Sequence, residues 1–113
     1  LSMQNVEHAL KLAKEEDKWW MNIEAAEFLL DHYCDANLAL KYANASIQLK
    51  PTVRNHWAKA QILAWKNDLA GAIAAADKAT ELVTKGNEEE KEYLASIEEQ
   101  LKASKLKWQK GQN

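Results

Sequence analysis

The sequence predicts an all-α domain, a stack of helical hairpins with about six helices. The 113 residues hold three glycines and one proline, about a third of average usage. Alanine and leucine number 19 and 14, against 11 valines, isoleucines and threonines together. Strands favour β-branched residues and their hairpins need glycine, Asn-Gly or proline, so this balance points to helices throughout. Apolar residues also recur at three- and four-residue spacing in segment after segment. The length suits one domain, residues 1–113.

Helical periodicity marks segments at roughly 4–16, 18–33 and 37–49, the third stopped by Pro51, because the residue before a proline avoids the helical region. Thr52 is then a natural N-cap for a fourth helix, 53–66, where Trp57, Ala60, Leu63 and Ala64 share one side. Asp68 can cap a fifth, 69–84, which carries Ala72, Ile73, Ala76 and Ala79 on one side. Gly86 suits the left-handed position after it, and Asn87 with Glu90 reads as an Asn variant of the capping box that opens a sixth helix, 88–108. Glu88, Glu89, Glu90 and Glu92 near its start and Lys102, Lys105, Lys107 and Lys110 near its end complement the helix dipole. Its apolar stripe, Leu94, Ile97, Leu101 and Trp108 with Ser104 completing the series, gives it one face to bury and a wide polar back. Such a helix is expected to close the end of a stack.

The composition excludes several classes of function. Gly71, Gly86 and Gly111 cannot write either glycine-rich phosphate loop. Fifteen basic and 17 acidic side chains leave a net charge of −2, with no global field to draw the chain onto nucleic acid or an anionic membrane. The longest wholly apolar run, Ala72-Ile73-Ala74-Ala75-Ala76, is far short of the roughly 20 residues a bilayer span needs. Cys34 is the single cysteine, so no internal disulfide is available to indicate a redox compartment. The chain opens Leu1-Ser2-Met3 without a signal-peptide apolar region, as expected of an excised or processed piece.

Comparing the sequence with itself reveals a repeat. Ala26 and Ala60 are 34 residues apart in the first helices of two successive pairs, and Ala39 and Ala72 are 33 apart in the second helices. Small residues recur at 39, 43 and 46 and again at 72, 76 and 79. This pattern resembles the tetratricopeptide repeat, a helix–turn–helix unit of about 34 residues. On its register Ala26 and Ala60 are the eighth positions, Ala39 and Ala72 the twentieth, Ser46 and Ala79 the twenty-seventh, and Pro51 the closing proline. The resemblance covers about residues 20–84 and implies a right-handed α-α superhelix: a leading helix (1–17), two repeats (18–51 and 52–86) and a capping helix (87–113). The departures are an extra residue expected in the turn Cys34-Asp35-Ala36-Asn37, Thr84 where a second closing proline would stand, and Ala43 and Ala76 in place of large aromatics. The segments Ala-Ala-Glu-Phe-Leu-Leu, Ala-Leu-Lys-Tyr-Ala-Asn-Ala-Ser-Ile, Lys-Ala-Gln-Ile-Leu-Ala and Ala-Ile-Ala-Ala-Ala-Asp-Lys-Ala are also similar to the C-terminal helical part of a bacterial family, the domain of unknown function 2911. That resemblance implies an exported or periplasmic protein with a β-rich N-terminal part, and no known chemistry.

The tetratricopeptide resemblance implies a concave groove lined by first helices. It assigns Trp20, Ile23, Glu27, Leu30 and Asp31 to that groove from the first repeat, and Arg54, Trp57, Gln61, Ala64 and Trp65 from the second. Tryptophan and arginine dominate interface hot spots, so Trp20, Ile23, Glu27, Arg54, Trp57, Gln61 and Trp65 are the candidate partner-binding residues. The competing expectation is that the tryptophans are core. Asp31-His32-Tyr33-Cys34-Asp35 gathers metal-ligand types, yet a zinc site needs three or four converging ligands, and His8 and His56 stand alone in their segments. His32 and Cys34 are two apart and point to different helix faces, which prevents a nucleophile–base pair. The sequence therefore predicts no metal, no cofactor, no catalytic residue and no enzyme. It predicts a module that holds a peptide or partner helix, with Arg54 favouring an acidic partner. The alternative is an accessory domain that docks on another part of its own chain, or self-associates weakly through Trp108 and the last helix.

Overall fold

A computed structural model describes residues 3–83 and 87–113. Six α-helices follow in order: α1 (Met3–Leu12), α2 (Glu15–Phe28), α3 (Ala36–Leu49), α4 (Val53–Trp65), α5 (Leu69–Val83) and α6 (Glu88–Gln109), with a π-helical segment, Leu29–Tyr33, continuing α2. No strand occurs among the described residues, and the fold is all-α as the composition predicts. Each helix packs on the next, α4 also meets α2 and α6, and the body measures 41 × 32 × 20 Å. Gly86, expected to close the fifth helix, and Thr84 lie outside the described residues.

The core forms on both sides of α4. On one side Ala58 and Ile62 join Val6 of α1, Ile23, Ala25 and Ala26 of α2, Leu29, and Ala39, Tyr42 and Ala43 of α3. On the other, Val53, Trp57, Ala60 and Ala64 meet Ala72, Ala75, Ala76 and Ala79 of α5 and Leu101 and Trp108 of α6. The alanines at 26, 39, 60, 72 and 79 are all fully buried. Small side chains at these points let helix axes approach at the near end of the usual 8–10 Å range. The stripe on α6 faces inward as its spacing requires, with Leu101 and Trp108 buried and Leu94, Ile97 and Ser104 half-buried.

Three local details differ from the sequence expectation. The first two helices part at Ala13-Lys14, where Lys14 is extended, so α2 starts at Glu15 rather than 18. Glu15, Glu16 and Asp17 then occupy its first turn, where carboxylates suit the positive helix end, and neither glycine nor proline marks the break in the sequence. The second is a π-helical segment, Leu29–Tyr33, just before the turn Cys34-Asp35-Ala36-Asn37. There Leu29 O accepts from the backbone N–H of Cys34, five residues on, and from Asp35 N at 3.3 Å. The coil is wider there than in the flanking α-helix, and Cys34 closes it in the left-handed conformation with φ 52°.

The third difference concerns Glu90. Asn87 caps α6 by accepting from Glu89 N, while Glu90 does not close a capping box and its carboxylate instead accepts from Val53 N at 2.7 Å. A carboxylate of α6 thus serves the N-terminus of α4, where an orphan N–H and the helix dipole both favour negative charge. The predicted caps at Thr52 and Asp68 are formed, the first as a capping box with Asn55 and the second accepting from Gly71 N at 3.0 Å.

Candidate functional site

The seven residues proposed for a groove do not form one surface. Ile23 is fully buried, and Trp57 is 4% exposed, its ring 6.0 Å from that of Trp108. Both are core residues, because α1 and α3 cover the first and α6 covers the second. Trp108 is buried by the same contact, which removes it as a self-association contact. Gln61 is half-buried, and Trp65, 58% exposed, lies at the C-terminal end of α4.

Trp20, Glu27 and Arg54 come together at a different place, a cleft of about 560 Å³ between α1 and α2. Its walls are Val6, Ala9 and Leu10 from α1 and Met21, Ala25 and Phe28 from α2. Trp20 is 37% exposed at the rim, with its indole N–H donating to Asp17 at 3.2 Å. Leu12, on the same short helix α1, is among the most exposed large apolar side chains of the described residues. The volume lies within the range of about 300–1,000 Å³ usual for ligand clefts.

The polar end of the cleft is an ion pair that joins two helices. Arg54 of α4 donates to Glu27 of α2 through Nη2 at 2.6 Å and Nε at 3.3 Å. That hydrogen bond raises the guanidinium pKa further, outweighing burial, which lowers it, with the Glu27 charge, Tyr93 and Glu24 adding to the rise. Tyr93 of α6 is pushed above its ordinary value by burial first and by the Glu27 charge second. Arg54 is therefore committed to Glu27, and the adjoining Glu24 leaves the cleft end net negative. The expectation that Arg54 would favour an acidic partner does not fit this arrangement.

The contribution of α1 was not visible as part of any site in the repeat register, which starts at α2. Val6, Ala9 and Leu10 have the helical spacing that could have revealed it. The Asp31–Asp35 cluster forms no centre. His32 stacks on Phe28 at 4.5 Å between ring centroids, Asp35 caps α3 by accepting from Leu38 N, and Cys34 is exposed. Among the described residues no three His, Cys, Asp or Glu side chains converge as metal ligands, and no helix is long and apolar enough to cross a membrane. Comparison with protein-family models, curated proteins and solved structures gives no match for this chain.

Proposed function

We propose that the domain is a non-enzymatic protein–protein interaction module, and that the cleft between α1 and α2 receives apolar side chains of a partner segment. The observation that carries this reading is the cleft itself: an apolar trough, a half-open tryptophan at its rim and a charged end fixed by the Arg54–Glu27 pair. Buried aromatic and aliphatic anchors supply most of the affinity of such contacts, and a rigid charged rim supplies orientation. With Glu24 and Glu27 facing one arginine, a partner with a basic flank is favoured over an acidic one. The spacing of buried alanines supports a tetratricopeptide-like scaffold for this role.

The test is selection of peptides from a random library on the immobilised domain, followed by affinity measurement against Ala9→Trp. Ala9 is exposed on α1 and lines the cleft, so the indole fills the trough without disturbing the core. Selected peptides should carry an apolar anchor beside Lys or Arg and lose at least tenfold in affinity for the variant, about 1.4 kcal/mol. Equal affinity for both proteins would contradict the assignment.

A second reading, an accessory domain covered by another part of its chain or by a second copy, is favoured by Trp65 at 58% and Leu106 at 55% exposure. Sedimentation of wild type and Trp65→Gln separates the two: a concentration-dependent dimer lost in the variant supports covering by a second copy.

A further inference from the structure

On a face that shares no residue with the α1–α2 cleft, His56, Lys59 and Lys78 line an open, shallow cleft of about 490 Å³ bordered by α3, α4 and α5. Five polar side chains are buried in the described structure: Asn22, Ser46, Thr52, Asn55 and His56. Four of them have their partners. Asn22 donates to Lys18 O, Ser46 donates to Trp19 O, and Asn55 bonds with Thr52, Ser46 and Lys50 O. His56 is the exception. It is nine-tenths buried, and among the described residues nothing hydrogen-bonds its ring. Among the described residues no fully enclosed side-chain nitrogen or oxygen lacks a partner, so the His56 ring keeps access to solvent, and the residue lines the cleft. The imidazole is therefore a polar group at the cleft wall with hydrogen-bonding capacity that no protein group uses.

The surroundings specify what kind of ligand. Lys59 lies one turn along α4 from His56 and Lys78 comes from α5, where its ammonium is also 3.8 Å from the exposed Glu81 carboxylate; burial first, and then the two lysine charges, hold the imidazole below its ordinary pKa. The opposing carboxylate, Asp68, is committed to capping α5 through Gly71 N. A Cβ on residue 71 would lie 2.5 Å from that carboxylate, so the glycine keeps the cap in place at the cleft wall. Asn44 is the polar group from α3, and Leu40, Leu63, Ala74 and Ala75 make the remaining wall apolar. Two ammonium groups and an imidazole thus border an apolar trough.

We propose that this second cleft binds a small organic anion, with an oxyanion head group between Lys59, Lys78 and His56 and an apolar body on Leu40, Leu63, Ala74 and Ala75. An anion there reverses the local electrostatics: the imidazole gains a proton and donates it in a hydrogen bond to the head group. Binding of a carboxylate head group, whose own charge is constant over that range, therefore tightens as pH falls from 7 towards 5.5.

The experiment follows the histidine ring resonances by NMR during titration with hexyl phosphate, hexanoate, hexanol and inorganic phosphate. At least one of the two amphipathic acids should shift His56 saturably and raise its pKa, while His8 and His32 stay unmoved as internal references. Which acid does so identifies the head group. The surface variant Lys59→Ala/Lys78→Ala should weaken that binding at least tenfold, and Ala74→Phe, at an exposed wall position, should abolish it with the fold intact by circular dichroism. The proposal is overturned if neither acid moves His56, if hexanol or inorganic phosphate binds as tightly as the acids, or if the lysine variant binds like wild type.

Discussion

Asn55 is fully buried, yet each polar atom of its amide is used. Its Oδ1 accepts from Thr52 N at 2.9 Å, and its Nδ2 donates to Ser46 Oγ at 3.0 Å and Lys50 O at 2.8 Å, while Ser46 reaches on to Trp19 O. One side chain thereby links α2, the end of α3 and the start of α4. Asn55→Ala should cost on the order of 2–3 kcal/mol in urea unfolding, because it leaves the buried Thr52 N–H without a partner and removes the bonds to Ser46 Oγ and Lys50 O. The neighbouring His56 contributes to the dependence of stability on pH. Its native pKa lies below the ordinary 6.5 through burial first and the Lys59 and Lys78 charges second. The unfolded chain therefore binds this proton more readily than the folded one, and stability falls as pH drops through 6.5 until the native imidazole itself titrates. His56→Gln should flatten that part of the stability–pH profile, as measured by thermal unfolding at a series of pH values. Neither role was legible in the sequence, where Asn55 and His56 are polar letters just before the conspicuous Trp57; burial of a polar side chain depends on what lies opposite, which a single helix pattern does not contain.

Helices, by contrast, were largely legible. Pro51, Thr52, Asp68 and Asn87 set boundaries through local backbone chemistry, and the α6 stripe follows from 3–4 spacing alone. The break at Lys14 and the π-helical segment were not, since neither carries glycine or proline and both are resolved by tertiary packing. The most consequential element is α6. It is fastened to the rest by Glu90 on Val53 N, by Trp108 against Trp57, by Lys105 paired with Asp77, and by the bond of Asn113 to Ala64 O just beyond its end. The tetratricopeptide resemblance made Trp57 a groove anchor, and in the structure it is core because α6 packs on it through Trp108. Trp108→Ala should therefore cost about 3–5 kcal/mol, the range for deleting a buried aromatic. A loss below about 1 kcal/mol in chemical denaturation would mean that α6 is only loosely seated.

At the scale of the whole molecule, α4 belongs to both core clusters, so the two halves are coupled through one helix. Unfolding should be a single transition by both far-ultraviolet and tryptophan signals, despite the modular sequence. The same architecture separates two faces: the α1–α2 cleft, net negative and apolar, and the α3–α4–α5 cleft, bordered by lysines and His56. The repeat register pointed to three residues of the first cleft and missed α1, whose burial of Val6 against α2 and α3 makes the trough. The central claim is that this trough is where a partner binds. Its most direct test is the set of five tryptophan indole N–H resonances in an ¹⁵N-labelled sample, recorded while a library-selected peptide is added. The account predicts that Trp20, at the rim, shifts saturably, while Trp57 and Trp108 in the core do not. A titration that moves Trp65 and leaves Trp20 unchanged would contradict it.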